Sequence, residues 1–179
     1  MSTYIALLRA VNVGGRVYKM AALREHLTAA GLEDVETYIQ TGNIRFRTSM
    51  RSAAKVEKRL EEVLREGAGF DVPALLFTPA ELTRIHEDAQ GIPAPDFTAD
   101  KQRRYVSFFK DPVPAQAAED IAGWDAEGER AWVIGRAVHI WLDRPSMEAL
   151  FFKEFKKVLA PGTNRDLKVV TTLAERWGG

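Results

Sequence analysis

The sequence predicts an α+β protein built from two ferredoxin-like halves, in which helices pack on one face of antiparallel sheets. In the first half, strand-like and helix-period stretches follow one another in the order βαββαβ, which is the ferredoxin-like plan. A similar order begins again about one hundred residues later, an offset too long for a solenoid and suited to a duplication. The predicted division is a first half over residues 1–90, a proline-containing linker over 91–102 and a degenerate second half over 103–179.

The first strand and the first helix are predicted from local patterns. Residues 4–11 are mostly apolar, and the stretch stops at a flexible Asn-Val-Gly-Gly loop over 12–15. A helix follows, because apolar side chains recur at helical spacing and the run stops at Gly31, a favoured residue just past a helix end. The positions that set this period are Met20, Leu23, Leu27 and Ala30.

A hairpin and a second helix complete most of the first half. Residues 35–40 and 44–48 contain β-branched and aromatic side chains, and they flank a Thr-Gly-Asn turn at 41–43. The apolar positions of the second helix, which ends near Gly67, are Val56, Leu60, Val63 and Leu64.

A fourth strand and a capped helix are expected next. Residues 72–78 have the composition of a strand. The helix is predicted from Pro79 to about Ala89, because Thr78 and Glu81 form a capping box around a proline at the first helical position.

The second half repeats this plan in part. We predict a strand over 104–109, a helix over 114–122 and a hairpin over 131–142 that turns near residues 135–136. A further amphipathic helix is indicated by Met147, Phe151, Phe155 and Val158. At the carboxy terminus the pattern predicts a short helix over 173–177, with a strand over 169–171 as the alternative.

Composition excludes several classes of function. The chain has no cysteine, so disulfides and thiolate chemistry are ruled out, and this is compatible with a reducing, cytoplasmic location. The first apolar stretch is interrupted by Arg9 and lacks signal-peptide features, and no apolar run approaches the roughly 20 residues that cross a bilayer. Basic and acidic side chains balance at 25 each. We therefore expect a cytoplasmic protein with no membrane partner, for which nucleic acid is unfavoured.

One end of the first predicted sheet collects the most suggestive polar residues. In a βαββαβ fold the first two strands run the same way, so the loop after strand one and the turn after strand two share that end. The first helix begins there too, and its N–H groups, together with cationic side chains, suit an anion. We therefore predict a site for a small anionic or phosphorylated ligand. Its candidate residues are Arg9, Asn12, Gly14, Gly15, Lys19, Gln40, Thr41, Gly42 and Asn43.

Other interpretations of these residues stay open. The glycines fit ordinary loops and turns, and the polar side chains fit a role in tying two loops together. An RNA-binding module and a protein-interaction scaffold without a ligand site are the alternative functions. The RNA alternative rests on Arg45 and Arg47, which alternate with Phe46 on strand three, although the aromatic run that stacks bases is missing.

Motifs for common cofactor and catalytic chemistry are missing from the sequence. Neither the dinucleotide nor the P-loop fingerprint is present, and there is no Gly-x-Ser-x-Gly elbow. His26, His86 and His139 are scattered, without the spacing of metal ligands. We expect no metal and no cofactor. The sequence predicts neither a particular reaction nor an oligomeric state.

Three segments together resemble a known family. They are residues 7–15 (LLRAVNVGG), 20–24 (MAALR) and 38–43 (YIQTGN), and they resemble the bacterial "domain of unknown function 1697" family over nearly the whole chain. The resemblance implies a cytosolic bacterial protein with a duplicated ferredoxin-like fold and no assigned activity. The sequence departs from the family pattern at Ala10, where glycine is frequent, and at residues 164–167, including Arg165, which match the carboxy-terminal motif only partly.

Overall fold

The computed structural model describes residues 1–97 and 102–179. It divides into two compact units. The first unit is Met1–Leu82 together with Trp177–Gly179, and the second unit is Thr83–Arg176.

The first unit contains one four-stranded antiparallel sheet with the strand order β2-β3-β1-β4. This order, with a helix after β1 and another after β3, is the ferredoxin-like arrangement that the sequence predicts. The elements are β1 (Ser2–Leu8), α1 (Met20–Ala29), β2 (Glu33–Tyr38), β3 (Asn43–Thr48), α2 (Ala53–Ala68) and β4 (Ala74–Phe77).

The core of the first unit lies between the sheet and the two helices. Because side chains alternate along a strand, Tyr4, Ala6 and Leu8 of β1 share the face that packs in this cluster. The helix positions predicted from the 3.6-residue period are confirmed as buried members of the same cluster. They are Met20, Leu23, Leu27, Val56 and Leu60.

Strand direction places two loops at one end of the first sheet. β1 and β2 both pair antiparallel with β3, so β1 and β2 run the same way. The β1–α1 loop and the β2–β3 turn therefore meet, and the Leu8 N–H donates a 2.8 Å hydrogen bond to the Gly42 carbonyl oxygen. Both connections start earlier than predicted, since β1 ends at Leu8 and β2 ends at Tyr38.

The second unit repeats the same sheet order, β6-β7-β5-β8. With two similar four-stranded antiparallel sheets and their helices, the predicted α+β fold with duplicated ferredoxin-like halves is confirmed. The remaining elements are α3 (Pro79–Gly91), β5 (Arg103–Phe108), α4 (Ala115–Ala122), β6 (Glu129–Ile134), β7 (Ala137–Leu142), α5 (Leu150–Glu154), α6 (Lys156–Leu159), β8 (Thr163–Asp166) and α7 (Leu167–Trp177).

The predicted carboxy-terminal helix over 173–177 is confirmed as the end of α7, but the strand assignment before it was wrong. The fourth strand of the second half is β8, and the alternative strand over 169–171 lies inside α7. The sequence pattern did not predict β8, because this strand is short and polar. Only Thr163 and Arg165 are turned toward the interior. In α7 the apolar residues at 167, 170, 173 and 177 are buried at helical spacing, which outweighs the β-branched character of Val169 and Val170.

The predicted helix that starts at Met147 is shorter and interrupted. Met147 is 90% exposed and precedes α5, and the helical segment is divided into α5 and α6 at Phe155. The start of α5 is fixed by a residue that is distant in the sequence. The buried Glu129 carboxylate accepts hydrogen bonds from the N–H groups of Leu150 (2.7 Å) and Phe151 (2.8 Å). An acidic side chain on a strand thus caps a helix that follows more than twenty residues later.

The predicted start of α3 is confirmed. The Thr78 N–H donates to the Glu81 carboxylate at 2.7 Å, and the Glu81 N–H donates to the Thr78 hydroxyl at 3.2 Å, which is a complete capping box. Of the predicted linker, residues 98–101 lie outside the described residues. No helix within residues 1–97 and 102–179 is long and apolar enough to span a membrane.

Candidate functional site

The side chain of Asn12 joins the two loops at the end of the first sheet. Its Oδ1 accepts a 2.6 Å hydrogen bond from the Tyr18 N–H, and its Nδ2 donates to the Tyr18 carbonyl at 3.1 Å. The same Nδ2 donates a 2.8 Å bond to the carbonyl oxygen of Gln40 in the β2–β3 turn. One amide therefore closes the β1–α1 loop on itself and attaches it to the neighbouring turn.

The β2–β3 turn has its own internal support. Asn43 is fully buried, and its Nδ2 donates to the Tyr38 carbonyl at 2.9 Å and to the Thr41 hydroxyl at 3.0 Å. Gly42 has a φ of +80°, and a Cβ at this position would lie 2.7 Å from both Leu8 Cβ and Val11 Cγ1. Only glycine fits there, because the turn crosses directly over the end of β1.

Left-handed backbone conformations are concentrated around these loops. Ala10 and Asn12 have φ of 55° and 54°, and they are followed by Gly14 and Gly15 at 58° and 82°. In the facing turn, Ile39 has a φ of 50°, which is costly for a β-branched side chain. Such conformations persist only where the surrounding structure enforces them, and the Asn12 hydrogen bonds supply that enforcement here.

Two cationic side chains, Arg9 and Lys19, lie at the two ends of the β1–α1 loop. Arg9 directly follows β1, where its backbone N–H donates to the Pro73 carbonyl at 2.9 Å and its side chain is half-buried. Lys19 precedes α1 and is exposed. Neither side chain has a hydrogen bond or an ion pair with any residue in 1–97 or 102–179.

The start of α1 adds to this positive character. Lys19 is the N-cap residue, and its side chain makes no capping hydrogen bond. The first turn of α1 contains no acidic residue. The partial positive charge of the helix amino terminus is therefore not offset by a side chain of the helix itself.

Six of the nine predicted site residues separate into two groups. Asn12, Gly42 and Asn43 hold the loops together through the contacts described above. Arg9, Lys19 and the side chain of Gln40 make no such contacts with the described residues, and Gln40 takes part only through its backbone carbonyl. The predicted proximity of Asn12 and Gln40 is confirmed as a direct hydrogen bond, whereas the Arg9 side chain joins neither loop by a hydrogen bond.

Sequence reasoning missed Tyr18, the residue that Asn12 holds. Tyr18 is buried, and its hydroxyl lies 2.7 Å from His26 Nδ1 on α1. Burial raises the pKa of Tyr18, so the phenol stays protonated beside the imidazole. The one sequence signal was an aromatic residue directly before the helix start, and this pattern is too common to mark a site.

Both arginines of β3 are in ion pairs, so they are not free to bind the phosphates of a nucleic acid. Arg45 lies 2.9 Å from the Glu36 carboxylate, and Arg47 lies 2.8 Å from that of Asp34. Ile44 and Phe46 point the other way into the core, where both are fully buried. The charges on this strand are thus offset by its neighbour β2.

Within residues 1–97 and 102–179, no group of three or more His, Asp or Glu side chains could hold a metal ion.

The family model "Protein of unknown function (DUF1697)" matches residues 1–139. The chain belongs to this family. The DUF1697 match includes both loops of the candidate site and ends within β7.

A solved structure extends the similarity of this DUF1697 protein to its full length. The conserved bacterial protein SP0830 from Streptococcus pneumoniae is similar, with a TM-score of 0.75 and 25% sequence identity. The similarity covers 99% of this chain and 98% of that chain. No curated protein matches the chain.

Proposed function

We propose that this DUF1697 protein binds a small anionic or phosphorylated ligand at the end of its first sheet. The observation that carries the proposal is the pair of cations, Arg9 and Lys19, at the two ends of a loop that Asn12 holds rigid. Neither cation has a carboxylate partner among residues 1–97 and 102–179. Uncompensated cations beside an open helix amino terminus attract anions.

The rigidity of the loops supports binding. Three hydrogen bonds from one Asn12 side chain fix the β1–α1 loop before any ligand arrives. A fixed loop loses little conformational entropy when a ligand binds, so more of the contact energy contributes to affinity. The left-handed residues Ala10 and Ile39 also fit this view, because strained backbone is frequent at ligand sites.

The proposed contacts differ in chemistry. Arg9 offers a planar guanidinium that can hold two oxygens of a phosphate or carboxylate, and Lys19 offers a point charge. The backbone N–H groups of Gly14 and Gly15 are suitable donors in an exposed loop. The Gln40 side chain, on the facing turn, supplies an amide that can select among polar ligands.

A thermal-shift experiment tests the proposal. Inorganic phosphate, pyrophosphate, ribose 5-phosphate and citrate are added to the purified chain, and the melting temperature is compared with that in sodium chloride of equal ionic strength. A ligand at one hundred times its Kd adds about 2.7 kcal/mol to the free energy of unfolding, which is a shift of several degrees for a domain of this size.

Variants then assign the effect to the site. Arg9→Gln combined with Lys19→Gln should change the free energy of unfolding without ligand by less than about 0.5 kcal/mol and should abolish the ligand-induced shift. Lys58→Gln, an exposed lysine on α2, is the matched control and should keep the shift. Equal shifts in the double variant and the control would contradict the proposal, as would the absence of a shift with all four probes.

A further inference from the structure

A cleft lies wholly within the second unit, where the β5–α4 loop faces α6 and the segment after it. It has a volume of about 440 Å³. This volume falls in the range of roughly 300–1,000 Å³ that is typical of small-molecule sites. The cleft occupies the same place in its own half as the β1–α1 loop does in the first half, at the carboxyl end of the first strand.

The walls of this cleft are apolar and stiff. Phe109 and Val113 are buried beneath it, and Val158 closes one side. Three prolines, at positions 112, 114 and 161, form much of the rim. Because proline restricts φ, these loops have little freedom to lose when a ligand binds.

Charged side chains lie at the rim of the cleft. Lys110, Asp111 and Lys157 line it. Lys157 is exposed, and its ammonium group has no ion pair or hydrogen bond with the described residues of the chain. An apolar floor below the Lys157 ammonium group is complementary to a molecule with an apolar body and one negative charge.

We propose that this cleft binds a small carboxylate with an apolar acyl or aryl body. The body would pack on Phe109, Val113 and Val158, and the carboxylate would face Lys157. A phosphate without an apolar body would leave the floor unfilled, whereas a neutral hydrocarbon would make no use of the lysines. The site is separate from the one at Arg9 and Lys19, and it differs from that site because its ligand needs an apolar body.

Isothermal titration calorimetry with octanoate and 1-naphthoate tests this second site on the full chain. Both anions should bind with a Kd between about 10 μM and about 1 mM, which corresponds to roughly 4 to 7 kcal/mol. The neutral 1-octanol, which keeps the body and lacks the charge, should bind roughly fivefold more weakly or worse. Absence of measurable binding of either anion at up to about 5 mM would overturn the proposal.

Paired variants locate the binding. Lys157→Glu should weaken octanoate binding about five- to tenfold, whereas Lys156→Glu, the exposed neighbour outside the cleft, should change it less than about twofold. Ala117→Trp should fill the cleft and abolish binding, and Ala115→Trp, on the exposed side of α4, should not. If Ala117→Trp does not fold, the lysine pair decides. Equal octanoate affinity in Lys157→Glu and Lys156→Glu would place the ligand elsewhere and refute the assignment.

Discussion

The side-chain amide of Asn12 donates a 2.8 Å hydrogen bond to the backbone carbonyl of Gln40, across 28 positions of the sequence. Together with its two bonds to Tyr18, this contact makes Asn12 the connection between the β1–α1 loop and the β2–β3 turn. Because the acceptor is a backbone atom, the connection does not depend on which side chain occupies position 40. Asn12 and Gln40 therefore have different roles, although they lie at the same end of the sheet.

Asn12→Ala should destabilise the first unit. The substitution removes three hydrogen bonds and leaves the Tyr18 N–H and two carbonyls without their partner, which we expect to cost about 2 to 3 kcal/mol. Urea unfolding, followed by circular dichroism, measures the change. Gln40→Ala is the matched control and should stay within about 0.5 kcal/mol of the parent, because only its backbone takes part. Equal losses in the two variants would show that the Gln40 side chain also supports the loops.

Ala10→Gly should stabilise the protein. Ala10 has a φ of 55°, a conformation that is strained for a residue with a Cβ and is free of this strain for glycine. We expect a gain of about 1 kcal/mol in the free energy of unfolding, reduced somewhat by the greater freedom of glycine in the unfolded chain.

Ala21→Gly is the contrasting control for Ala10→Gly. Ala21 is exposed within α1, where glycine should cost about 0.5 to 1 kcal/mol. The two substitutions are chemically identical, so opposite signs in the melting temperature would report backbone conformation alone. A loss at both positions would mean that Ala10 is not strained in solution.

Gly67→Ala should destabilise the protein although Gly67 lies inside α2. Glycine to alanine in a helix normally gains about 0.5 to 1 kcal/mol. Here the new Cβ would collide with His26 Nδ1 and the Tyr18 hydroxyl, at the point where these two groups hydrogen-bond. We expect a net loss of about 1 to 3 kcal/mol.

Gly91→Ala provides the matched comparison for Gly67→Ala. Gly91 is also helical, but a Cβ there would have no neighbour within 4 Å. The Gly91→Ala substitution should leave the free energy of unfolding unchanged or raise it slightly, as measured by thermal unfolding. A gain for Gly67→Ala equal to that for Gly91→Ala would contradict the close packing of Tyr18 and His26 against α2.

Stability should fall in mild acid because of His139. Burial lowers the pKa of this imidazole from 6.5 to about 4, opposed by the nearby Asp88 carboxylate and assisted by the Arg104 guanidinium. Between pH 6.5 and about pH 4, the unfolded chain binds a proton at His139 that the folded chain does not bind. The free energy of unfolding therefore decreases as the pH falls. The full loss, reached below about pH 4, amounts to about 3 kcal/mol.

His139→Leu should remove this part of the pH dependence. Neither ring nitrogen of His139 has a hydrogen-bond partner among the described residues, so leucine leaves no polar group deprived of a partner. Urea unfolding at pH 7 and at pH 5 gives the comparison, and the difference between the two pH values should shrink by about 1 to 2 kcal/mol in the variant. An unchanged difference would mean that His139 is protonated in the folded state or that other groups dominate.

Local patterns in the sequence predicted the order of the larger elements. The helical period of Met20, Leu23 and Leu27 and the capping box of Thr78 and Glu81 are determined by residues within one or two turns, and both are confirmed. The short polar strand β8 was not predicted, because its pairing with β5 lies outside its own sequence. The start of α5 was missed for the same reason, since the cap comes from Glu129 on a distant strand.

For the candidate site, the sequence by itself determined that the β1–α1 loop and the β2–β3 turn share one end of the sheet, because strand direction follows from element order. Only the tertiary structure decided which residues hold the loops and which stay available. Asn12 and Asn43 were predicted as ligand contacts, yet their amides are occupied by backbone carbonyls and by the Thr41 hydroxyl. The physical reason is that the side-chain amide of Asn can hydrogen-bond to a neighbouring loop or to a ligand through the same atoms. Which partner it takes depends on distances of a few tenths of an ångström, and these are set by packing across residues far apart in the chain.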